Sequence, residues 1–435
     1  MHLCAFLIAG PVGHSHAQWR NPNHEPGFLT LAHYRRIAET LERGKFDFLF
    51  FADRLGISDR FGGDMEVGIR YGDQDATRLD PVPLLGAIAA NTTHIGLGAT
   101  RSTSYDQPYH VAREFATLDH LSGGRAAWNV VTSMNDGEAL NFGVAQHLEH
   151  DERYDRADEF VELAFELWNS WEPGALVLDR ESGVYADPER VHYVRHEGAW
   201  FSSRGPLNIP RSPQGRPVII QAGSSGRGKK FAARWAEVVF TIQQTPELMK
   251  RFSDDVRASL ATFERAPESC KILTAVMPFV ADTVAQAEAD RDAHNAMIHP
   301  LVGLSTLASH SNFDFSTLPL DQPLRDAVSR GTQGMFETVM RITRDEALSL
   351  SDVGTLYGRS VLVPQIAGTA SDVADYLESI VSAGAADGFV ISPAFLPDSL
   401  ERFVEGVVPE LQRRGLFRRD YSGPHLRDHL GLPPL

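Results

Sequence analysis

Polar side chains that could bind a ligand gather where an apolar stretch of this chain ends. In residues 124–133, a Gly-Gly turn and a run of apolar or small residues carry three polar groups, Asn129, Thr132 and Ser133. The interior of a buried parallel strand must be apolar, so its carboxyl end is where polar groups can be offered to a bound molecule. We therefore predict that these three side chains contact a ligand.

Ionisable groups occupy similar positions after two other apolar runs. His14 and His16 follow the first apolar run of the chain, and Asp53 follows the second, directly after Ala52. Imidazole titrates near neutrality and suits proton transfer, while a carboxylate can accept hydrogen bonds from a ligand. Structural roles for these residues stay open. Isolated histidines commonly form their hydrogen bonds with backbone groups, and Asp53 could cap the following helix.

Residues 221–228, Gln-Ala-Gly-Ser-Ser-Gly-Arg-Gly, have the composition of a phosphate-binding turn. Ser224 and Ser225 carry hydroxyl donors, Gly226 permits close backbone approach, and the helix that follows would supply free N–H groups. The segment matches neither a P-loop nor a dinucleotide fingerprint. A plain strand-to-helix turn with a serine N-cap is the alternative interpretation.

A metal site is the less favoured interpretation of His147 and His150, which lie beside acidic residues at the start of a predicted helix. The His-Glu-x-x-His pattern of zinc enzymes is absent, and acidic residues are expected at a helix start because they complement the helix dipole. We therefore predict no metal. Tyr154, one helical turn beyond His150, could bind a ligand or belong to the core.

Apolar runs alternate with amphipathic helical stretches, and this alternation predicts the fold that must position these residues. Strands are predicted at residues 3–8, 47–52, 94–100, 125–132, 217–222, 237–241, 272–280 and 388–392. Eight strands separated by helices favour an α/β fold, a parallel (β/α)₈ TIM barrel, over a doubly wound sheet. Residues 171–215 and 295–361 break the alternation, so we predict one domain, 1–435, with two insertions. His310 falls in the second insertion, where exposure is the default expectation.

Composition excludes several classes of partner. The formal charge of −16 gives no general attraction to nucleic acid or to anionic lipid. Cys4 and Cys270 alone provide neither a disulfide framework nor a Cys-rich metal site. No segment reaches the roughly 20 apolar residues of a membrane span, and the first residues lack the basic lead of a signal peptide. We expect a cytoplasmic homodimer or homotetramer that acts on small molecules.

Several of these motifs together resemble those of the flavin-dependent monooxygenases of the bacterial luciferase superfamily. The matching segments are Phe51-Ala-Asp53, Thr103-Ser-Tyr105, residues 116–125, Trp128-Asn-Val-Val-Thr-Ser133, His150-Asp-Glu-Arg-Tyr154 and Gln221-Ala-Gly-Ser-Ser225. The resemblance is to the branch that contains nitrilotriacetate, dibenzothiophene-sulfone and long-chain alkane monooxygenases. It spans nearly the whole chain and includes residues 384–389 and 426–431.

The resemblance implies a barrel that takes reduced FMN from a separate NAD(P)H:FMN oxidoreductase and uses O₂ to oxygenate a small organic substrate, without a metal. The isoalloxazine and ribityl region would contact Ala52, Asp53, Thr100, Asn129, Thr132 and Ser133. The phosphate end would contact His150, Tyr154, Ser224, Ser225 and Gly226. His14 and His310 match histidines on the substrate side of the flavin, where a near-neutral pKa would suit either protonation role.

Two positions depart from the alkane-oxidising members of this branch, which carry a Cys in the first loop and a His after the Thr-Ser pair. This chain has Pro11 and Met134 there, so alkane hydroxylation is not predicted. The substrate stays open among aminopolycarboxylates, sulfones, halogenated aromatics and antibiotic precursors, because a fold does not select among them.

An apolar pocket would favour an uncharged aromatic or organosulfur substrate over a polycarboxylate. Phe51, Phe142, Phe240 and Phe279 are candidates for its lining, with core packing as the alternative. Two other functions stay open. A deazaflavin-dependent dehydrogenase would share the barrel, and a non-catalytic flavin-binding protein would release only peroxide; activity with reduced FMN and O₂ against deazaflavin distinguishes the enzymes.

Overall fold

The computed structural model of the chain describes residues 1–223, 225–324 and 333–435, and eight parallel strands in it form a closed barrel. They are β1 (His2–Ile8), β2 (Phe48–Ala52), β3 (Gly96–Ser102), β4 (Ala126–Val131), β5 (Val218–Gln221), β6 (Val238–Thr241), β7 (Lys271–Val280) and β8 (Gly388–Ile391). Each strand pairs in parallel with the next, and β8 pairs with β1, which closes the ring. The predicted TIM barrel and all eight of its strands are confirmed.

Every second side chain of a strand points into the barrel, and these side chains fill its interior. Phe6, Phe50 and Phe240 belong to one buried cluster inside the ring, with their ring centroids 5.3–6.1 Å apart. A Cβ on Gly98 of β3 would lie 2.6 Å from the Cβ of Phe50, so only glycine lets the phenylalanine of β2 pack there. These residues make the part of the interior around Phe6, Phe50 and Phe240 apolar and aromatic.

Helices cover the outside of the barrel. They are α1 (Leu31–Arg43), α2 (Glu66–Tyr71), α3 (Pro81–Ala89), α4 (Pro108–Ser122), α5 (Asp136–Asn141), α6 (His150–Trp168), α7 (Gly226–Trp235), α8 (Pro246–Ala261), α9 (Val284–Asn295), α10 (Pro300–Ser311), α11 (Gln333–Glu346), α12 (Leu350–Ser360), α13 (Ala370–Ser382), α14 (Asp398–Arg402), α15 (Val408–Arg413) and α16 (Leu426–His429). Within the described ranges, none of them is long and apolar enough to cross a membrane.

Trp128 of β4 fixes which way the side chains of that strand face. Its indole packs outward against Phe115 of α4 and Phe160 of α6, at centroid distances of 5.9 and 5.7 Å. Successive side chains of a strand point to opposite faces. The next residue, Asn129, therefore faces the barrel interior.

The two predicted insertions contain different kinds of element. Residues 171–215 include two antiparallel hairpins, Leu176–Asp179 with Val184–Ala186 and His196–Glu197 with Ser202–Ser203. Residues 295–361 include α10, α11 and α12, and their residues 325–332 lie outside the described part of the chain. A further parallel strand, Gln365–Gly368, pairs with the last four residues of β7 and is missing from the sequence prediction. The division into one domain with insertions stays a prediction.

Candidate active site

His14 lies in the loop that follows β1 and is buried at the carboxyl end of the barrel. Its Nδ1 is 2.7 Å from the hydroxyl oxygen of Ser392, which follows β8. Burial lowers the pKa of His14 to about 3, and the neighbouring His16 adds to this effect. At neutral pH the ring is therefore neutral, and it can donate a hydrogen bond from one nitrogen and accept one at the other.

His310 lies in the last turn of α10 and is buried, so the expectation of an exposed residue is wrong. The reason is that α10 packs against α12, where the fully buried Tyr357 places its hydroxyl 2.5 Å from His310 Nδ1. Burial lowers the pKa of His310 well below its ordinary value, and Arg54 acts in the same direction. The near-neutral pKa expected of both candidate catalytic histidines is therefore wrong, because each imidazole has lost its contact with water.

His16 has a structural environment. Its Nδ1 is 3.1 Å from the carbonyl oxygen of Gly358, and its Nε2 is 2.6 Å from the hydroxyl of Thr306. Both ring nitrogens are thus bonded to the insertion helices α10 and α12. His16 therefore matches the alternative interpretation, in which a loop histidine forms its hydrogen bonds with neighbouring protein groups.

Thr100 and Asn129 are brought together because β3 and β4 pair in register at these two residues. The Asn129 amide donates to Thr100 Oγ1 at 2.9 Å, and Thr100 Oγ1 donates to the carbonyl of Phe51 at 2.9 Å. Asn129 Oδ1 is buried and has no hydrogen-bond partner among the described residues. A buried unpaired acceptor is costly. This oxygen therefore fits a ligand that presents an N–H or O–H group.

Asp53 immediately follows β2 and is largely buried. Burial raises the pKa of its carboxyl to about 6, although Arg78 and Arg101 oppose the shift. The next helix, α2, begins only at Glu66, so the alternative that Asp53 caps a following helix is wrong. Its neighbour Ala52 accepts a hydrogen bond at its carbonyl from Arg78 Nη1 at 3.2 Å.

Ser133 turns the chain after β4, with a φ of 53° in the left-handed region. Its hydroxyl lies 2.8 Å from Ser102 Oγ and donates to Glu138 Oε1 at 3.2 Å. Arg153 donates to the carbonyl of Ser133 at 2.6 Å. The preceding residue, Thr132, accepts a hydrogen bond at its carbonyl from Ser104 Oγ at 2.7 Å. Protein contacts thus fix this turn, and a role of Thr132 and Ser133 in ligand contact stays a prediction.

The described residues that we predict to form a phosphate cradle lie at the amino end of α7. Ser225 is the N-cap of this ten-residue helix and accepts a hydrogen bond from the Gly228 N–H at 3.0 Å. His150 Nε2 lies 3.3 Å from Ser225 Oγ, and the His150 and Tyr154 rings are 5.2 Å apart. The N-cap interpretation is thus correct, and it is compatible with a cradle. Ser224 lies outside the described residues.

The two glycines in the first turn of α7 differ in how much open space surrounds them. A Cβ on Gly226 would meet no described atom within 4 Å, whereas a Cβ on Gly228 would lie 2.8 Å from Tyr154 Oη. The first turn of α7 is thus open at Gly226 and closed at Gly228. A helix amino end with free N–H groups and open space in front of it fits a phosphate group.

A buried ion-pair network, which no motif in the sequence signals, ties the end of β2 to α10. Arg54 Nη1 donates to Asp75 Oδ2 at 2.7 Å and to Ser309 Oγ at 2.7 Å, while Arg78 Nη2 donates to Asp75 Oδ1 at 2.7 Å. Burial alone would raise the pKa of Asp75, but the Arg54 and Arg78 guanidiniums hold it below its ordinary value. This network fixes the helix that carries His310 relative to Asp53.

His147 and His150 do not converge on a common point. His147 Nδ1 lies 2.8 Å from Tyr105 Oη, and His150 Nδ1 lies 2.7 Å from Asp151 Oδ1. Among residues 1–223, 225–324 and 333–435, no group of three or more His, Cys, Asp or Glu side chains is arranged to hold a metal ion.

The four phenylalanines considered for an apolar pocket have different surroundings. Phe240 and Phe279 belong to the buried cluster inside the barrel. Phe51 belongs to the outer layer between strands and helices, where it packs against Tyr34, and Phe142 is 47% exposed. The pocket prediction is therefore wrong for Phe51, because alternation along β2 directs it away from the interior.

A family model described as luciferase-like monooxygenase matches residues 7–387. The chain therefore belongs to the luciferase-like monooxygenase family, which confirms the resemblance of its motifs. It is an enzyme of this family, whose characteristic barrel it shares.

Two relatives and one solved structure cover nearly all of the chain. The dibenzothiophene-sulfone monooxygenase of Rhodococcus erythropolis (strain XP) is 51% identical over 437 residues, covering 99% of this chain and 96% of that protein. Nitrilotriacetate monooxygenase component A of Aminobacter aminovorans is 43% identical over 422 residues, covering 95% and 93%. A crystal structure of a riboflavin lyase with modified FMN and its substrate riboflavin has a TM-score of 0.91 at 34% identity, covering 100% and 96%.

Proposed function

We propose that this chain is the oxygenating component of a two-component monooxygenase. It would take reduced FMN from a separate NAD(P)H:FMN oxidoreductase and use O₂ to oxygenate a small organic substrate. The observation that carries the proposal is that two ligand-accepting features lie at the carboxyl ends of paired strands of the barrel. The unpaired Asn129 Oδ1 lies on β4, and the open helix turn at Gly226 follows β5, the strand that pairs with β4. Membership of the family supports it.

The residues at the strand ends fit a flavin mononucleotide. We assign to the ring and ribityl region the residues Ala52, Asp53, Thr100, Asn129, Thr132 and Ser133. We assign to the phosphate the residues His150, Tyr154, Ser224, Ser225 and Gly226. The related riboflavin lyase structure, which contains a modified FMN, supports this assignment. When bound, reduced FMN would supply the two electrons with which O₂ gives one atom to the substrate and the other to water.

His14 and His310 would act on the substrate side as neutral hydrogen-bond donors. Burial keeps both imidazoles uncharged at neutral pH, so each can hold a proton at one ring nitrogen. Ser392 and Tyr357 fix the orientation of these rings through their hydroxyls. A neutral donor can hydrogen-bond the oxygen atom that develops negative charge during transfer.

The aromatic barrel interior would keep water away from the reacting atoms. Phe6, Phe50 and Phe240 are buried and line it below the strand ends. Excluding water strengthens each hydrogen bond in the site and limits loss of the activated oxygen. We propose an aromatic, organosulfur or halogenated substrate, as supported by 51% identity to a sulfone monooxygenase. The 43% identity to a nitrilotriacetate monooxygenase makes an aminopolycarboxylate the second candidate.

The two-component arrangement is tested with the purified full chain. FMN, NADH and a candidate substrate are supplied with and without a flavin reductase, and NADH consumption and product are followed together. We expect product only when the reductase is present. Oxidation of NADH by the pure chain at a rate that saturates with FMN would contradict the proposal, and so would turnover with reduced deazaflavin but not with reduced FMN.

A further inference from the structure

A cavity of about 630 Å³ opens between the carboxyl end of β6 and helices α8 and α11. Its apolar wall consists of Phe240, Leu248, Phe252, Met335 and Leu362. Phe240, Phe252 and Leu362 are buried and form the inner part of the wall. The volume lies in the range of sites that hold a small organic molecule, which is roughly 300–1,000 Å³.

Two rings, those of Phe240 and Phe6, separate the inner end of this cavity from His14. Phe240 lines the cavity, and its centroid is 6.1 Å from that of Phe6. The ring of Phe6 in turn contacts His14, whose imidazole stacks on it with ring centroids 3.7 Å apart. The cavity therefore leads toward the candidate catalytic histidine of the first loop.

Two side chains, Met335 and Tyr357, separate the same cavity from His310. Met335 of α11 lines the cavity, and its sulfur accepts from Tyr357 Oη at 2.8 Å. The same hydroxyl lies 2.5 Å from His310 Nδ1. A molecule in the cavity would thus be separated from each candidate histidine by two side chains, Phe240 and Phe6 on one side and Met335 and Tyr357 on the other.

The outer wall of the cavity carries a surplus of positive charge. Arg251 of α8 and Arg341 and Arg344 of α11 are exposed and line it, and none forms a side-chain hydrogen bond or ion pair with another described residue. Lys229 also lines the cavity but is neutralised by Asp255, at 2.7 Å.

Among the described residues of the cavity wall, Glu337 is the one further acidic group besides Asp255. Glu337 lies one helical turn before Arg341 in α11 and offsets part of its charge. Three guanidiniums against one carboxylate leave a positive surface in a chain whose formal charge is −16. Such a local surplus attracts and orients anions.

We infer that the substrate carries an oxyanion, a carboxylate or a sulfur oxyanion, which the Arg251–Arg341–Arg344 wall binds while an apolar part lies against Phe240 and Met335, on the side of the cavity nearest the histidines. A guanidinium pairs with an oxyanion through two parallel N–H donors, whereas an uncharged aromatic molecule would leave all three arginines without a role. This inference rests on the proposed function and narrows its substrate class to amphiphilic anions.

The test compares two probes that share one scaffold. Dibenzothiophene sulfone and the same molecule with a carboxylate on one ring are titrated calorimetrically into the full chain in the presence of FMN. We expect the carboxylate to bind roughly tenfold more tightly at low salt, with the advantage falling as ionic strength rises. Arg251→Gln and Arg341→Gln should each weaken carboxylate binding about three- to tenfold and leave the neutral sulfone unchanged.

Lys250→Gln is the matched control, because Lys250 is the sequence neighbour of Arg251 on α8 but pairs with Asp254 and does not line the cavity. Equal affinity for both probes, or carboxylate binding insensitive to both arginine substitutions, would overturn the inference. Weakened binding of FMN but not of riboflavin in the arginine variants would also overturn it, because the cations would then serve the cofactor phosphate. Arginine-dependent carboxylate binding without oxygenation of either probe would support this inference and contradict the proposed function.

Discussion

The imidazole of His14 lies flat on the ring of Phe6, with centroids 3.7 Å apart and planes 16° from parallel. Phe6 belongs to the core of the barrel, so a residue of the fold determines the orientation of a candidate catalytic group. Ser392 holds the same imidazole from the end of β8. The ring is therefore preorganised between β1 and β8, and preorganised donors contribute most to catalysis where water is excluded.

Replacing His14 by Ala should separate catalysis from binding. We expect turnover in the reductase-coupled assay to fall by a factor of roughly 10² to 10³, as is usual when a hydrogen-bond donor to a developing negative charge is lost, with FMN affinity close to that of the unchanged chain. Ser392→Ala, which leaves the imidazole but removes its partner, should cause a smaller loss. If the folded His14→Ala protein kept normal specific activity, the residue would be structural and His310 would be the remaining candidate.

The phosphate cradle predicts a difference between two neighbouring glycines. Gly226→Ala should fold normally, because its Cβ meets no described atom within 4 Å, yet it should weaken FMN binding by blocking the approach of the phosphate. Gly228→Ala should instead lower the melting temperature, because its Cβ would lie 2.8 Å from Tyr154 Oη. Titrating both proteins with FMN and with riboflavin checks the assignment. If Gly226→Ala lost equal affinity for the two ligands, the assignment of a phosphate site would be contradicted.

Removing one hydroxyl from the cradle should act in the same direction. Tyr154→Phe or Ser225→Ala should raise the dissociation constant of FMN about ten- to a hundredfold, since a hydrogen bond to a charged group is worth roughly 1.5–3 kcal/mol. Ser225→Ala should also cost about 1 kcal/mol of stability through loss of the α7 N-cap. Unchanged FMN titrations of both variants would remove these residues from the site.

The buried carboxyl of Asp53 predicts a pH-dependent stability difference. Burial raises its pKa to about 6, so the folded state prefers the protonated form, and stability is lost as pH rises from the unfolded pKa near 4 through 6. Asp53→Asn should therefore stabilise the chain relative to the wild type by about 2 kcal/mol more at pH 8 than at pH 4. Denaturant unfolding at the two pH values measures this, and a pH-independent difference would show that Asp53 titrates normally.

The Arg54–Asp75–Arg78 network predicts a large loss of stability. Asp75→Asn would leave two buried guanidiniums without their counter-charge, which should cost about 3–5 kcal/mol. Asp398→Asn removes the partner of the exposed Arg402 and should cost less than about 1 kcal/mol. Chemical unfolding of both variants supplies the comparison, and similar small losses would mean that the network does not support α10.

The barrel was predictable because its strands are short apolar runs between amphipathic helices, and each of the eight is found. The strand Gln365–Gly368 was not predictable in the same way, because Pro364 directly precedes it and a proline usually argues against a strand. The structure tolerates this proline since the strand lies at an edge of the described sheet, where it pairs with the end of β7. Short edge strands take their stability from a neighbour that is distant in sequence, here about ninety residues away.

The residue types of the site were visible in the sequence, but their protonation states were not. The pKa of His14 depends on burial against β1 and β8, and that of His310 depends on burial against α12, none of which follows from neighbouring residues. The Arg54–Asp75 pair likewise joins residues that carry no motif of their own. Burial and ion pairing between distant segments are properties of packing, so they appear only in the structure.

The central claim is that the chain transfers an atom of O₂ to an organic substrate with reduced FMN. The most direct measurement is a reductase-coupled reaction under ¹⁸O₂, with mass spectrometry of the products from dibenzothiophene sulfone, its ring carboxylate and nitrilotriacetate. We predict one ¹⁸O atom per product molecule for at least one of them, in amounts that fall with His14→Ala. Consumption of reduced FMN with peroxide as the sole oxygen product for every substrate would contradict the account.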